Sequence, residues 1–134
     1  MTVYWDSSAV LSALFEDRYS RRATAAIRRA DLHLLSTLTW AEVHAVISRI
    51  ERERVLAGTL VAAARETLER GPWRRPNLVP GWRLVSTLAP KRALRGADLW
   101  HLCAAKTLQS ELPDVKVLTF DSQLAEAARG EGLA

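Results

Sequence analysis

The chain has 134 residues, of which 49% are hydrophobic and 25% charged. That is the balance of one ordinary folded domain, and it excludes a disordered or fibrous chain. Lys and Arg number 19 against 15 Asp and Glu, for a net charge of +4, which favours a polyanionic partner without identifying one. A chain of this length buries roughly two thirds of its unfolded surface, so no disulfide or structural metal is needed to hold the fold. Its single cysteine, Cys103, lies in the apolar segment Leu99 to Ala105 and reads as a small buried hydrophobe. Residues 1 to 20 carry Asp6, Glu16 and Asp17 without a basic region, unlike a signal peptide, and no apolar run approaches membrane-spanning length. A cytoplasmic protein with no membrane contact is expected.

Thr2-Val3-Tyr4-Trp5 is a short β-branched and aromatic run that stops at Asp6-Ser7-Ser8, after which Ala9, Val10, Leu11, Ala13 and Leu14 continue as an apolar helix. Ser20 to Asp31 reads as a basic, alanine-rich helix and His33 to Ser36 as a second short strand. The stretch from Thr37 to Arg54 has a helical stripe of Leu38, Val43, Val46, Ile47 and Ile50, and Gly58 to Arg70 continues the helical region. Gly71 to Gly81 contains Pro72, Pro76 and Pro80, so a loop with one short strand at Asn77 to Val79 is expected there. Trp82 to Leu88 supplies a further helical turn. Ala97 to Leu112 is helical, Val115 to Phe120 is the clearest strand, and Asp121 opens a last helix. With no domain boundary among these segments, residues 1 to 134 read as a single α/β domain with a parallel sheet.

Asp6 and Asp121 each stand where a predicted strand gives way to a helix, the edge of an α/β sheet at which ligand sites form. Taken singly, each reads as a helix cap, since Asp accepts backbone N–H bonds well there. Asp98 has the same two readings, because Arg95-Gly96-Ala97-Asp98 enters a helix. Glu42 sits inside a helix, with Leu38 one turn before and Ala45 and Val46 one turn after. A carboxylate on that face needs a partner or a metal. A salt bridge, with Arg49 or an arginine elsewhere, and a metal site are balanced readings. If the acids converge, their mutual repulsion is tolerable chiefly around a cation. Oxygen ligands alone suit Mg²⁺ or Mn²⁺ better than zinc, and His33, His44 and His101 form no zinc pattern. His101, three residues after Asp98, reads as a core or solvated histidine, with a place behind the acids as the alternative. There is no Walker A loop, GxGxxG fingerprint or GxSxG elbow.

In order and spacing, Val3-Tyr4-Trp5-Asp6-Ser7-Ser8-Ala9, Thr39-Trp40-Ala41-Glu42-Val43, Leu94-Arg95-Gly96-Ala97-Asp98-Leu99-Trp100-His101-Leu102-Cys103-Ala104-Ala105 and Leu118-Thr119-Phe120-Asp121-Ser122-Gln123-Leu124-Ala125-Glu126-Ala127-Ala128 together resemble a PIN domain of the VapC type. The resemblance covers almost the whole chain. It implies a three-layer fold with a central parallel sheet flanked by helices, and a metal-dependent endoribonuclease acting as the toxin of a toxin–antitoxin pair. Carried over position by position, it implies that Asp6, Glu42, Asp98 and Asp121 are the catalytic, metal-binding acids, with Mg²⁺ as cofactor and Mn²⁺ as a substitute. Ser8 and Thr119 fall where the family often places a hydroxyl beside the acids; ordinary turn and strand hydrogen bonding is the equal alternative. Many relatives continue into a final strand where this chain has Gly132-Leu133-Ala134, so a shortened sheet edge is expected.

A carboxylate-lined site needs basic residues to hold RNA at its rim. Lys91, Arg92 and Arg95, close in sequence to Asp98, are the RNA-binding candidates, followed by Arg74 and Arg75. Trp40 and Trp100 read as core or interface residues, since helix neighbours point apart. The resemblance further implies a cognate antitoxin and a homodimer. The competing readings are a non-catalytic PIN-like RNA-binding or assembly module, its acids serving as caps, and a phosphohydrolase. The latter lacks the paired Asp-x-Asp, since the chain has Asp6-Ser7-Ser8.

Overall fold

The run Thr2–Trp5 forms strand β1 and is buried along its whole length, as a β-branched and aromatic strand at the centre of a parallel sheet is. The computed structural model describes residues Met1–Ala134. After β1 come helices α1 (Ser7–Leu14) and α2 (Ser20–Arg29), strand β2 (Leu32–Leu34), and helices α3 (Thr37–Arg52) and α4 (Gly58–Arg70). Strand β3 (Trp73–Arg74), helices α5 (Trp82–Leu88) and α6 (Gly96–Gln109), strand β4 (Val115–Leu118) and helix α7 (Ser122–Gly130) complete the order. The sheet runs β3-β2-β1-β4 with every pair parallel, the α/β architecture expected.

Alternation along β1 divides the interior. Val3 and Trp5 point into a cluster with Val10 of α1, Val43 and Ile47 of α3, and Leu68 of α4. Tyr4 points to the opposite face, among Leu102 and Cys103 of α6 and Leu124 of α7. Helices therefore cover both faces, and both cores meet at the strand that leads into Asp6. Cys103 is buried, as expected.

The three strands after β1 differ from the sequence reading, each for a local reason. The second strand stops at Leu34 because Ser36 leaves the ladder to cap α3, accepting from Thr39 N at 3.1 Å. The third strand is Trp73–Arg74 instead of Asn77–Val79. Trp73 is anchored edge-on against Trp5, centroids 6.0 Å apart, whereas Asn77–Val79 lies between two prolines that cannot donate to a ladder. Gly71 permits that packing, since a Cβ there would lie 2.1 Å from the Trp73 ring. The fourth strand ends at Leu118, not Phe120, because Thr119 and Phe120 turn to hydrogen bonds around Asp6. Beyond α7, Leu133 is fully buried and its carbonyl accepts from Val117 N at 2.7 Å, so the chain end lies against the outer edge of β4.

Candidate active site

Asp6 follows the last residue of β1 and caps α1. Its Oδ1 accepts from Ala9 N at 2.9 Å and from the Ser8 hydroxyl at 2.7 Å, and its Oδ2 accepts from the Thr119 hydroxyl. Thr119 reaches it because β1 and β4 are adjacent and in register at their ends, Trp5 opposite Leu118. Only 3% of Asp6 is exposed. Burial pushes its carboxyl above the usual carboxylate range; the bonds from Thr119, Ala9 and Ser8 and the nearby His101 pull the other way.

Asp98 lies in the first turn of α6, where the cap position belongs to Arg95. The capping role considered for it is thus not the one it plays, although the helix dipole still favours an acid there. Its carboxyl is raised by burial first, then by the negative charges of Asp121 and Asp6, with Glu42 adding to them and His101 opposing. That pattern puts Asp98 within the fields of the other three acids. Asp121 does cap α7, its Oδ1 accepting from Leu124 N at 2.9 Å, while remaining exposed. Glu42 pairs with His101, Nε2 to Oε1 2.7 Å, and not with Arg49.

His101 is 1% exposed and engages both ring nitrogens. Nδ1 lies 2.6 Å from the Tyr4 hydroxyl, which donates to Ser36 Oγ at 2.9 Å. Ser36 continues to Thr39, whose hydroxyl donates to the Trp5 carbonyl at 2.9 Å. A buried polar chain thus runs from the end of β1 through α3 and α6 to Glu42. The sequence reading missed Tyr4, Ser36 and Thr39. The available signals were the separation of Asp98 and His101 by one helical turn and the placement of Tyr4 and Asp6 on the same side of β1.

The donor set suits a hard divalent cation in its chemistry, since all four acids offer oxygen and Asp98 feels the repulsion of the other three. Asp6, Glu42 and Asp121 are nonetheless each turned toward a protein partner, and no three His, Cys, Asp or Glu side chains stand together as a ready-made metal cage.

The predicted basic residues are placed unequally. Arg92 donates to Glu131 from Nε at 2.9 Å and Nη2 at 2.5 Å, with Lys91 at 3.8 Å and Lys106 at 3.9 Å from the same carboxylate. Its guanidinium is occupied by an internal ion pair. Lys91 and Arg95 are exposed. Arg75 lies over the half-buried Trp40 ring at 4.8 Å and 3.7 Å from Glu69, and Arg74 ends β3 facing solvent.

The model of the PIN domain family matches residues 3–130, a stretch that holds Asp6, Glu42, Asp98 and Asp121. The chain belongs to the PIN domain family. Solved structures with the same fold include PAE2754 from Pyrobaculum aerophilum, at TM-score 0.65 and 15% identity over 97% of this chain and 81% of that one. VapC20 of Mycobacterium tuberculosis, described as a sarcin-ricin loop cleaving toxin, matches at TM-score 0.61 and 12% identity over 93% of this chain and 94% of that one. FitAcB from Neisseria gonorrhoeae matches at TM-score 0.64 and 18% identity, over 95% and 93% of the two chains. No curated protein matches the sequence. In this PIN domain the acids lie at the C-terminal ends of β1 and β4 and on the helices beside them, the edge expected from the parallel topology.

Proposed function

We propose that this PIN domain, acting as one unit over residues 1–134, is a Mg²⁺-dependent endoribonuclease and the toxin of a toxin–antitoxin pair, with Mn²⁺ able to replace Mg²⁺. The observation that carries the reading is the shared electrostatic neighbourhood of Asp6, Glu42, Asp98 and Asp121, seen in the upward push that Asp121, Asp6 and Glu42 exert on Asp98. Acids that repel one another at the mouth of a sheet are poised to take up a cation. Asp6, Glu42, Asp98 and Asp121 would hold it. Bound there, a divalent ion supplies Lewis acidity toward the phosphodiester and offsets charge on the leaving oxygen.

The chain's own residues prepare that site. Ser8 and Thr119 hold the Asp6 carboxylate from two sides, limiting its rotation. His101 fixes Glu42 and is itself fixed by Tyr4, so that carboxylate is oriented from the core. Lys91 and Arg95 counter the repulsion between the acids and an RNA backbone, while Arg92 steadies the segment that carries them through Glu131. The fold shared with VapC20 supports RNA as the substrate. A cognate antitoxin and a second copy of the chain are the partners this reading brings, in the cytoplasm.

The non-catalytic alternative also has support, because Asp6 and Asp121 do cap helices. Expression in a cell separates the two readings. Induced wild type should arrest growth and Asp98→Asn, folded and equally abundant, should not; equal arrest by both would count against catalysis.

A further inference from the structure

Next to the acids lies a feature that the nuclease reading leaves unused. The rings of Tyr19 and Phe120 stack with centroids 4.7 Å apart and planes 5° from parallel. The Arg18 guanidinium lies over Tyr19 at 4.7 Å, and that of Arg22 over Phe120 at 5.1 Å. Both arginines are exposed, and neither has a carboxylate within ion-pair distance, unlike Arg92 or Arg65. A guanidinium laid on a ring is held in place while its N–H edge stays free for an anion.

The stack is joined to the site. Phe120 precedes Asp121, and its N–H donates at 3.0 Å to the Ser8 hydroxyl that itself donates to Asp6 at 2.7 Å. A hollow of about 360 Å³ is bounded by Ser8, Leu11, Ser12, Tyr19 and Phe120 and by the acids Asp17 and Asp121. Arg22, which lies over Phe120, also lines a second hollow of about 410 Å³ against α2 and β4, whose charged side chains are Arg21, Arg22, Arg29 and Lys116. No acid lines that second hollow. Cations thus lead along one face of α2 to the stack, and the stack leads to the acids.

We propose that a single RNA strand follows this track, its phosphates passing Lys116, Arg29 and Arg21, with Arg22 and Arg18 gripping the phosphates next to the acids. This deepens the nuclease reading and rests on it. RNA suits the surface better than an acidic peptide, because the track ends at Asp6 and Asp121. Carboxylates arriving there meet only like charge, whereas the RNA backbone brings the bond that the site is built to cut. Planar guanidiniums also match the geometry of phosphate oxygens.

The test is the binding of a fluorescein-labelled, mixed-sequence single-stranded RNA 12-mer in chelator, followed by anisotropy across a salt series, with cleavage assayed separately. Each phosphate contact on a single strand contributes about 0.7 to the slope of log affinity against log salt. Arg18→Gln with Arg22→Gln should therefore flatten the slope by about 1.4 and weaken binding on the order of tenfold at moderate salt. Phe120→Leu keeps the bulk and the charges, and should weaken binding about threefold with little change in slope. Arg70→Gln with Arg83→Gln, which removes the same charge away from the track, should leave both unchanged. Wild type that cleaves and binds RNA, with unaltered slope in the Arg18 and Arg22 variant, would overturn the track and leave the nuclease standing. Wild type that neither binds nor cleaves would overturn both. Poly-L-glutamate that binds wild type as tightly per charge as the RNA, and loses affinity in the Arg18 and Arg22 variant, would assign the surface to an acidic peptide and overturn the proposal.

Discussion

At Asp6 the backbone N–H of Ala9 and the hydroxyls of Ser8 and Thr119 converge on one buried carboxylate. The N–H bond is what a capping role predicts; the Thr119 bond, which comes from the turn after β4, is not needed for a cap. Thr119→Val keeps the shape and removes only that donor. It should lower RNA cleavage about 10- to 100-fold, the range for losing a partner that orients a metal ligand, while the urea midpoint falls only slightly. Unchanged cleavage by the folded variant would make Thr119 a strand-end residue and nothing more. The raised Asp6 and Asp98 carboxyls also fix the sign of a pH effect. A carboxyl whose folded value lies above its unfolded one stabilises the fold when protonated, and that contribution is lost as pH rises through the folded value. In chelator, the melting temperature should therefore rise as the pH is lowered from neutrality through the raised range of these carboxyls. Asp98→Asn should flatten the rise and be no less stable than wild type at neutral pH. Glu131, held below the usual glutamate range by Arg92 and neighbouring lysines, works in the opposite sense and withdraws stability only at still lower pH.

Among the elements, those with a strong internal pattern were legible: β1 from its β-branched and aromatic run, α3 from its apolar stripe, and the three junctions that place Asp6, Asp98 and Asp121. What the local pattern does not contain is the partner across space. Strand β3 is two residues long and exists because Trp73 packs on Trp5, a contact between segments far apart in the chain. Phe120 reads as strand by propensity, yet its N–H is taken by the Ser8 hydroxyl, so tertiary bonding overrides the run. Glu131 is a similar long-range device. Its carboxylate, 8% exposed, ties the end of α7 to Arg92 and Lys91 before α6, and to Lys106 within it. The Arg92 guanidinium lies against Gly130, where a Cβ would come within 2.6 Å of its nitrogens. Glu131→Gln leaves these cations without their countercharge and should destabilise the protein by about 1–3 kcal/mol in urea denaturation. A change below about 0.5 kcal/mol, the size typical of surface substitutions, would show that the cluster is merely a surface network.

For the molecule as a whole, the two cores meet along β1, and the site sits where that strand ends. This is why Asp6, Glu42 and Asp121, scattered along the sequence, all act on the charge of Asp98. The elements that carry the acids were legible from the flanking residues. Their supports were not: the chain from His101 through Tyr4 and Ser36, and the pair Tyr19 and Phe120 with its two arginines, join residues that share no local pattern. Arg92 shows the reverse limit, since its position before Asp98 suggested RNA contact while the fold commits it to Glu131. The central claim is that these acids make one metal-dependent centre that cuts RNA. The direct measurement is cleavage of total cellular RNA by purified wild type and Asp98→Asn, both shown to be folded, in Mg²⁺, Mn²⁺ or chelator. Discrete fragments that require both metal and Asp98 are the predicted result; wild type inactive in every metal, or fragments undiminished by chelator or by Asp98→Asn, would contradict it.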